Sequence, residues 1–294
     1  MKAAASRVLF TGAGGGIGNA AIPLLVKAGA SVMLVGRSPA RLAAQARALV
    51  RDGGVERQRV EWYAADLARE ASLEGIADVA TGWGCNVLVH GAGVPGFGRI
   101  ESLAAADMAK VLHLNLLVPM LLTQALLPQL RGLPAAQVIF VGSALGRLGL
   151  PGFSVYSASK FGLRGFAESL RRELADTQVR VQYFGPRSTR TGFNSGEVER
   201  YNAATGTAMD APDVAARALL QMLESGKAEC FLGFPEKLAV RLNGLAPIWL
   251  DGAFHKHRRS LPPVTQAARP VAGRGEPREL VVPPDSHSLF DNSL

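Results

Sequence analysis

The sequence predicts an α/β fold: a doubly wound parallel sheet of about seven strands with helices on both faces, followed by a C-terminal extension. Three observations carry this expectation. Short apolar runs alternate with longer helical patterns along most of the chain, as parallel sheets with crossover helices require. The runs lack a period of two, which marks strands covered on both faces. A glycine-rich turn, Thr11-Gly12-Ala13-Gly14-Gly15-Gly16-Ile17-Gly18, follows the first run and opens a helix.

Taken in order, the strands are expected at residues 8–10, 31–35, 60–63, 86–89, 138–141, 179–184 and 230–232. Helical spacing occupies 17–28, 39–50, 103–130 with Pro119 inside it, 156–175 and 212–225. Pro212 stands next to a helix start, where its missing N–H costs nothing. The alternation stops near Pro235, so 1–235 reads as one domain, without internal repeats. Residues 236–259 keep Leu238, Leu242, Leu245 and Trp249 at helical spacing between Lys237, Arg241, Lys256, Arg258 and Arg259, with Pro247 as a break or kink. Residues 260–294 are proline-rich and aromatic-poor, and are expected to be a disordered tail.

The 294 residues are 48% hydrophobic, ample for one sizeable core. The net charge of +8 admits a nucleic acid, an anionic membrane or a phosphorylated ligand as partner. Basic residues are too poorly interleaved with aromatics to favour nucleic acid. Cys85 and Cys230 have neither zinc-site spacing nor the density of a secreted scaffold, which suits a reducing compartment. No metal site is expected, because His113 and the His255-Lys256-His257 fragment lack a ligand cluster. The first apolar stretch is too short for a signal peptide or a membrane span, so a cytoplasmic location is expected.

The chemistry lies in three places. Gly12, Gly14, Gly16 and Gly18 allow a tight turn and bring a helix N-terminus, with unpaired N–H groups, against a pyrophosphate. The second strand ends Val35-Gly36-Arg37-Ser38, with arginine where a carboxylate would bind the ribose hydroxyls of NAD, which favours the 2′-phosphate of NADP. Arg41, a turn later, either adds to that site or faces water. Tyr156 and Lys160 project from one helix face, and a nearby ammonium makes a phenol a usable acid or base. Ser143, just after the fifth strand, adds a hydroxyl for a substrate oxygen.

Together with Asp66, His90-Gly91-Ala92-Gly93 and Asn115, these motifs resemble the short-chain dehydrogenase/reductase family across residues 8–235. The resemblance implies a single Rossmann-like domain and an oligomer. It implies that Ser143 holds the carbonyl oxygen, Tyr156 exchanges the proton, and Lys160 binds the nicotinamide ribose and lowers the tyrosine pKa. Asn115 would support a water in a proton relay. Cofactor contacts would come from Gly12, Gly14, Gly16, Ile17, Gly18, Arg37, Asp66, Leu67, Gly91, Ala92, Gly93, Tyr156, Lys160, Pro186 and Thr191, with Asp66 at the adenine and Thr191 at the carboxamide. The family usually has asparagine where His90 stands and glycine where Arg187 follows Pro186. His90 is expected to be structural, and the loop opened by Arg187 to differ in how it moves.

Leu145, Leu148, Leu150, Phe153, Phe193 and Met209 are expected to wall an apolar substrate pocket. The leading function is NADPH-dependent reduction of a ketone, such as a 3-oxoacyl chain or a keto-lipid. Arg147 and Arg187 leave room for an acidic or carrier-borne group. The alternatives are a dinucleotide sensor without turnover and a membrane-associated scaffold, and neither gives an intact Ser143, Tyr156, Lys160 and Asn115 set a reason to assemble. The apolar stripe of 237–259 is expected to be covered by the chain's own fold or a second subunit, or else by the inner face of a membrane.

Overall fold

Val8, Leu9 and Phe10 are fully buried in β1 (Arg7–Thr11), near the middle of a seven-stranded, wholly parallel sheet. The computed structural model describes residues 1–234 and 236–264. After β1 come α1 (Gly16–Lys27), β2 (Ser31–Gly36), α2 (Pro39–Gly53), β3 (Val60–Ala64), α3 (Glu70–Trp83) and β4 (Val87–His90). The second half runs α4 (Ala105–Leu112), α5 (Val118–Arg131), β5 (Ala136–Val141), α6 (Ser154–Glu173), β6 (Val179–Gly185), α7 (Gly196–Thr205), α8 (Pro212–Ser225) and β7 (Glu229–Phe231). The extension adds α9 (Glu236–Leu245), a 3-10 stretch Pro247–Phe254 and α10 (His255–Arg259).

The strand order β3-β2-β1-β4-β5-β6-β7 reverses direction between β1 and β4. Connections leave these two strands toward opposite sides, which opens a crevice at their C-terminal ends, the usual ligand site of such sheets. Because successive strand residues face opposite ways, Val8 and Phe10 pack with Ile22, Leu42 and Leu219 on one face. Leu9 packs with Ile76, Leu122 and Leu163 on the other.

All seven predicted strands are present, but two helices go beyond the sequence reading. The inner face of α3 is Leu73, Ile76, Ala77 and Ala80, half of it alanine, and glycines interrupt the helix at 75 and 82. Its apolar period is therefore faint. α7 buries only Val198, Tyr201 and Asn202.

The single helix expected over 103–130 is α4 and α5 joined by a π-helical turn, His113–Leu117. The cause is Pro119, which has no N–H for the carbonyl of Asn115 four residues back, so regular α-helical bonding fails there. Leu122, Leu126 and Leu130 nonetheless remain fully buried against the sheet.

The extension corrects the sequence reading twice. α9 sets Val240 into a small cluster with Ala144 and Leu148, and Asn243 Nδ2 donates to the carbonyl of Arg147 at 2.9 Å. The chain's own fold, one of the covers expected for the stripe Leu238, Leu242, Leu245 and Trp249, does not supply it: among the described residues the stripe is the outward face and lies exposed. Helical geometry gives Val240 and Asn243 the side opposite to it. The expected disordered tail also begins too early at 260, because Arg99 Nε donates to the carbonyl of Pro262 at 2.8 Å and Leu261 lies over Gly152. The rest of that tail, 265–294, lies outside the described residues.

Candidate active site

The turn after β1 is built for close backbone approach. Gly12 has φ +72°, and a Cβ there would stand 2.7 Å from the backbone of Ala92 in the turn after β4. Thr11 Oγ1 clamps the two turns, accepting from the N–H groups of Gly91 at 3.1 Å and Ala92 at 3.3 Å. A side chain at Gly16 would collide with Thr191, and one at Gly18 would reach within 2.5 Å of the Ala13 carbonyl. Gly14, by contrast, meets nothing within 4 Å.

The N-cap Gly15 offers no side chain, so the N–H groups of Gly16, Ile17 and Gly18 remain as donors at the positive end of α1. Asn19 Nδ2 and Gln45 Nε2 hold the carbonyls of Gly14 and Ala13, each at 3.1 Å. This donor set and cradle fit a dinucleotide pyrophosphate. At the end of β2, Arg37 and Arg41 are exposed, and the nearest atom to a Cβ on Gly36 is Leu42 at 3.5 Å. Asp66 Oδ1 accepts from Ala68 N at 3.1 Å, and Leu67 turns its side chain into the core.

Tyr156 and Lys160 stand one turn apart on the buried face of α6, next to Ser143 at the end of β5. Burial pushes the pKa of the Tyr156 hydroxyl up to about 12, and the neighbouring Ser143 side chain opposes the rise. Burial lowers Lys160 to about 8. At neutral pH the pair is thus a protonated phenol beside an ammonium, with Nζ 5.7 Å from the phenol ring centre and donating to the Val141 carbonyl at 3.1 Å.

The side chain of Asn115 is committed elsewhere: Oδ1 accepts from Val94 N at 2.8 Å, and Nδ2 lies 3.0 Å from Val94 O and 3.2 Å from Ser159 Oγ. Ser159 Oγ in turn donates to the Tyr156 carbonyl at 2.7 Å. Asn115 therefore ties the loop after β4 to α6. Gly93 belongs to this junction, since a Cβ there would be 3.0 Å from Asn115 Oδ1 and 3.8 Å from Lys160 Nζ.

The family model described as short chain dehydrogenase matches residues 6–202, the stretch that holds this whole constellation. The chain belongs to the short-chain dehydrogenase family. It is 32% identical over 215 residues to a 3-oxoacyl-[acyl-carrier-protein] reductase of Bos taurus, covering 71% of this chain and 87% of the relative. A 3-ketodihydrosphingosine reductase of Bos taurus is 27% identical over 252 residues, covering 83% of this chain and 76% of that one. The solved short-chain dehydrogenase from Sphingobium yanoikuyae in complex with NADPH superposes with a TM-score of 0.72 at 26% identity, over 90% of this chain and 99% of that chain. The family is one of oxidoreductases acting on CH–OH and C=O groups.

In this short-chain dehydrogenase the two departures noted in the sequence have structural roles. His90 is buried, stacked on Phe140 at 4.9 Å with Nε2 2.8 Å from Thr123 Oγ1, and burial lowers its pKa to about 3, so it is a neutral packing residue. Arg187 pairs with Asp210 at 2.7 Å, which fastens the loop after β6 to the segment before α8. Pro186 O accepts from Ala144 N at 2.8 Å, and Thr191 leans over Gly16, so that loop reaches from the serine to the dinucleotide turn.

Phe153 and Phe193 flank the Tyr156 ring at 6.4 and 6.0 Å. Leu145 is half-buried beside Ser143, whereas Leu148 and Leu150 pack toward Val240. Sequence reasoning missed the aromatic cluster behind Phe153. Phe97 lies 4.9 Å from Phe153 and 5.1 Å from Tyr201, whose hydroxyl is 3.0 Å from Pro151 O and 2.8 Å from His257 Nδ1. Phe97, Arg200, Tyr201 and Pro262 border a cavity of about 350 Å³. These residues come from three distant stretches, so no local motif announces them.

Tyr183 was also missed. Its hydroxyl accepts from Ser143 N at 3.1 Å and lies 3.0 Å from Ser143 O, while Gly142 and Gly146 leave space for its ring. It is a positioning residue for the serine. Tyr183→Phe leaves buried backbone groups unpaired and is expected to cost about 1–3 kcal/mol of stability. Turnover should fall about tenfold or more with NADPH affinity unchanged, the mark of a displaced Ser143. Equal losses of turnover and cofactor binding would instead indicate a general loosening of the fold.

Proposed function

We propose that this short-chain dehydrogenase reduces an apolar ketone to a secondary alcohol with NADPH. The observation that carries the reading is the buried Tyr156 hydroxyl, next to Ser143, beside the Lys160 ammonium and against the rings of Phe153 and Phe193. NADPH, when bound, supplies the hydride. Ser143 Oγ and the Tyr156 hydroxyl converge on the substrate carbonyl oxygen and hold it. Tyr156 gives its proton to that oxygen as negative charge develops there, and the ammonium of Lys160 stabilises the phenolate left behind. The phenolate regains its proton by way of Lys160 from water held at the carbonyl of Asn115, which Pro119 leaves without its α-helical donor. Phe153 and Phe193 keep water from the phenol and present an apolar face to the substrate. The names of the bovine relatives, both reductases of keto-compounds, support this substrate class.

Cofactor choice rests on Arg37 and on the absence of a carboxylate at Gly36. NADPH is expected to bind at least about tenfold more tightly than NADH, about 1.4 kcal/mol. The space around Gly36 admits a side chain, so Gly36→Asp with Arg37→Ala should reverse the order without unfolding the protein. Titration of both variants with both cofactors checks this, and equal affinities in the parent would refute it. The reaction itself is tested by NADPH consumption across ketones of graded chain length, with kcat/KM expected to rise with length. A full panel left unreduced would overturn the reading.

A further inference from the structure

The four most exposed large apolar side chains among the described residues are Trp249 (87%), Leu245 (85%), Phe234 (78%) and Ile248 (78%), and all lie within residues 234–249. Scattered exposed apolar residues are ordinary; such a concentration is not. Leu238, Arg241, Leu242 and Leu245 follow at helical spacing on the outward face of α9, and the chain then turns through Ala246 to add Ile248 and Trp249. The inward face is held by Val240 and by the bond from Asn243 to Arg147, so the outward one is presented by a fixed scaffold.

We propose that this face docks the enzyme on an anionic lipid bilayer. Charge argues for that occupant. Exposed Arg241 shares the apolar face, exposed Lys256, Arg258 and Arg259 follow in α10, and Asp251 is the one acid between Arg241 and Arg259. A second copy packed through the same patch about a twofold axis would set Arg241 and its neighbours against their own counterparts. Lipid phosphates complement them instead. A ten-residue helix followed by a proline is too short to span a bilayer, but leucines, isoleucine and a tryptophan beside cations suit its interface. The patch also shares its footing with the pocket: Val240 packs on Ala144 and Leu148, in the segment that follows Ser143. Docking therefore places the pocket wall close to the membrane. Entry of substrate from the lipid phase rests on the ketone reading above; the docking itself does not.

The test uses the full chain with vesicles of phosphatidylcholine alone or mixed with phosphatidylglycerol. The protein is expected to sediment with the mixed vesicles, at least tenfold less with the neutral ones, and to be released by salt. Trp249 emission should shift to the blue on binding, and Trp249→Phe should remove the shift while keeping most of the binding. Leu245→Ser with Ile248→Ser should abolish binding and leave NADPH affinity and reduction of a water-soluble ketone unchanged, which also shows that the variant is folded. Should that variant fail to fold, Arg241→Glu with Lys256→Glu is expected to weaken binding tenfold or more. Absence of binding to either vesicle, binding indifferent to charge and salt, or a dimer that the Ser substitutions dissolve without any vesicle binding would overturn the proposal. Vesicle binding without reduction of any ketone would sink the catalytic reading and leave the docking standing.

Discussion

Tyr156→Phe is expected to lower turnover by about 10³-fold while NADPH affinity stays within a few-fold. The substitution removes one oxygen and keeps the ring, whose contacts are with Phe153 and Phe193. Packing therefore survives, and the cost in stability stays within about 1 kcal/mol. What disappears is the proton donor, a role whose removal from an oriented site costs two to four orders of magnitude. The measurement is NADPH consumption at saturating ketone, with cofactor affinity taken separately by fluorescence. Retained turnover in the variant would show that the proton comes from elsewhere, and the mechanism proposed above would have to be abandoned.

The second large effect runs in two directions at once. Lys160→Met should reduce kcat by about 10²-fold or more and weaken NADPH binding, yet raise the stability of the cofactor-free protein at neutral pH. Burial lowers Lys160 from 10.5 to about 8, so the folded state binds this proton less well than the unfolded chain does. The unfavourable contribution is present in full below about pH 8 and fades as pH rises toward 10.5, because there the folded state no longer carries the charge. It amounts to about 3 kcal/mol. The bond to the Val141 carbonyl, lost in the variant, returns about 1–2 kcal/mol of that. A net gain of about 1–2 kcal/mol is expected near pH 7, vanishing above about pH 10. Denaturant titrations of parent and variant at several pH values test it, and a variant less stable at pH 7 would mean that the ammonium is better solvated than its burial implies.

Much of this was legible because the signals are local. Strands β1, β2, β4 and β5 carry continuous apolar runs, and the dinucleotide turn, the serine and the tyrosine–lysine pair occupy short stretches at the ends of strands or the start of a helix. Helix α3 escaped notice because alanines and glycines dilute its apolar period. Thr11, Asn19 and Gln45 act through bonds to backbone atoms of other turns, and an isolated polar residue gives no sign of such a partner. Tyr183 serves Ser143 from 40 residues away, and the bond from Tyr201 to His257 spans 56. The outward stripe of α9 was read as needing cover, and periodicity alone does not tell an apolar face that meets protein from one that meets something else. Val240, a single residue, anchors the side that meets protein.

The π-helical turn at His113–Leu117 bears on which insertions and deletions the chain can accept. A wide turn of this kind equals one extra residue slipped into an α-helix. Removing one residue from it would bring 105–131 closer to a continuous helix, with one bond still missing at Pro119, and Val111 before it and Leu122, Leu126 and Leu130 after it would keep their phase toward the core. The fold would lose nothing that it needs for packing. Asn115, however, would swing away from Val94 and Ser159, and the junction that holds Tyr156 would come apart. A one-residue deletion elsewhere in the helix would do the reverse, sparing the local turn while rotating every leucine beyond it out of register by about 100°. The length of this helix is thus set twice over, once by the core and once by the site.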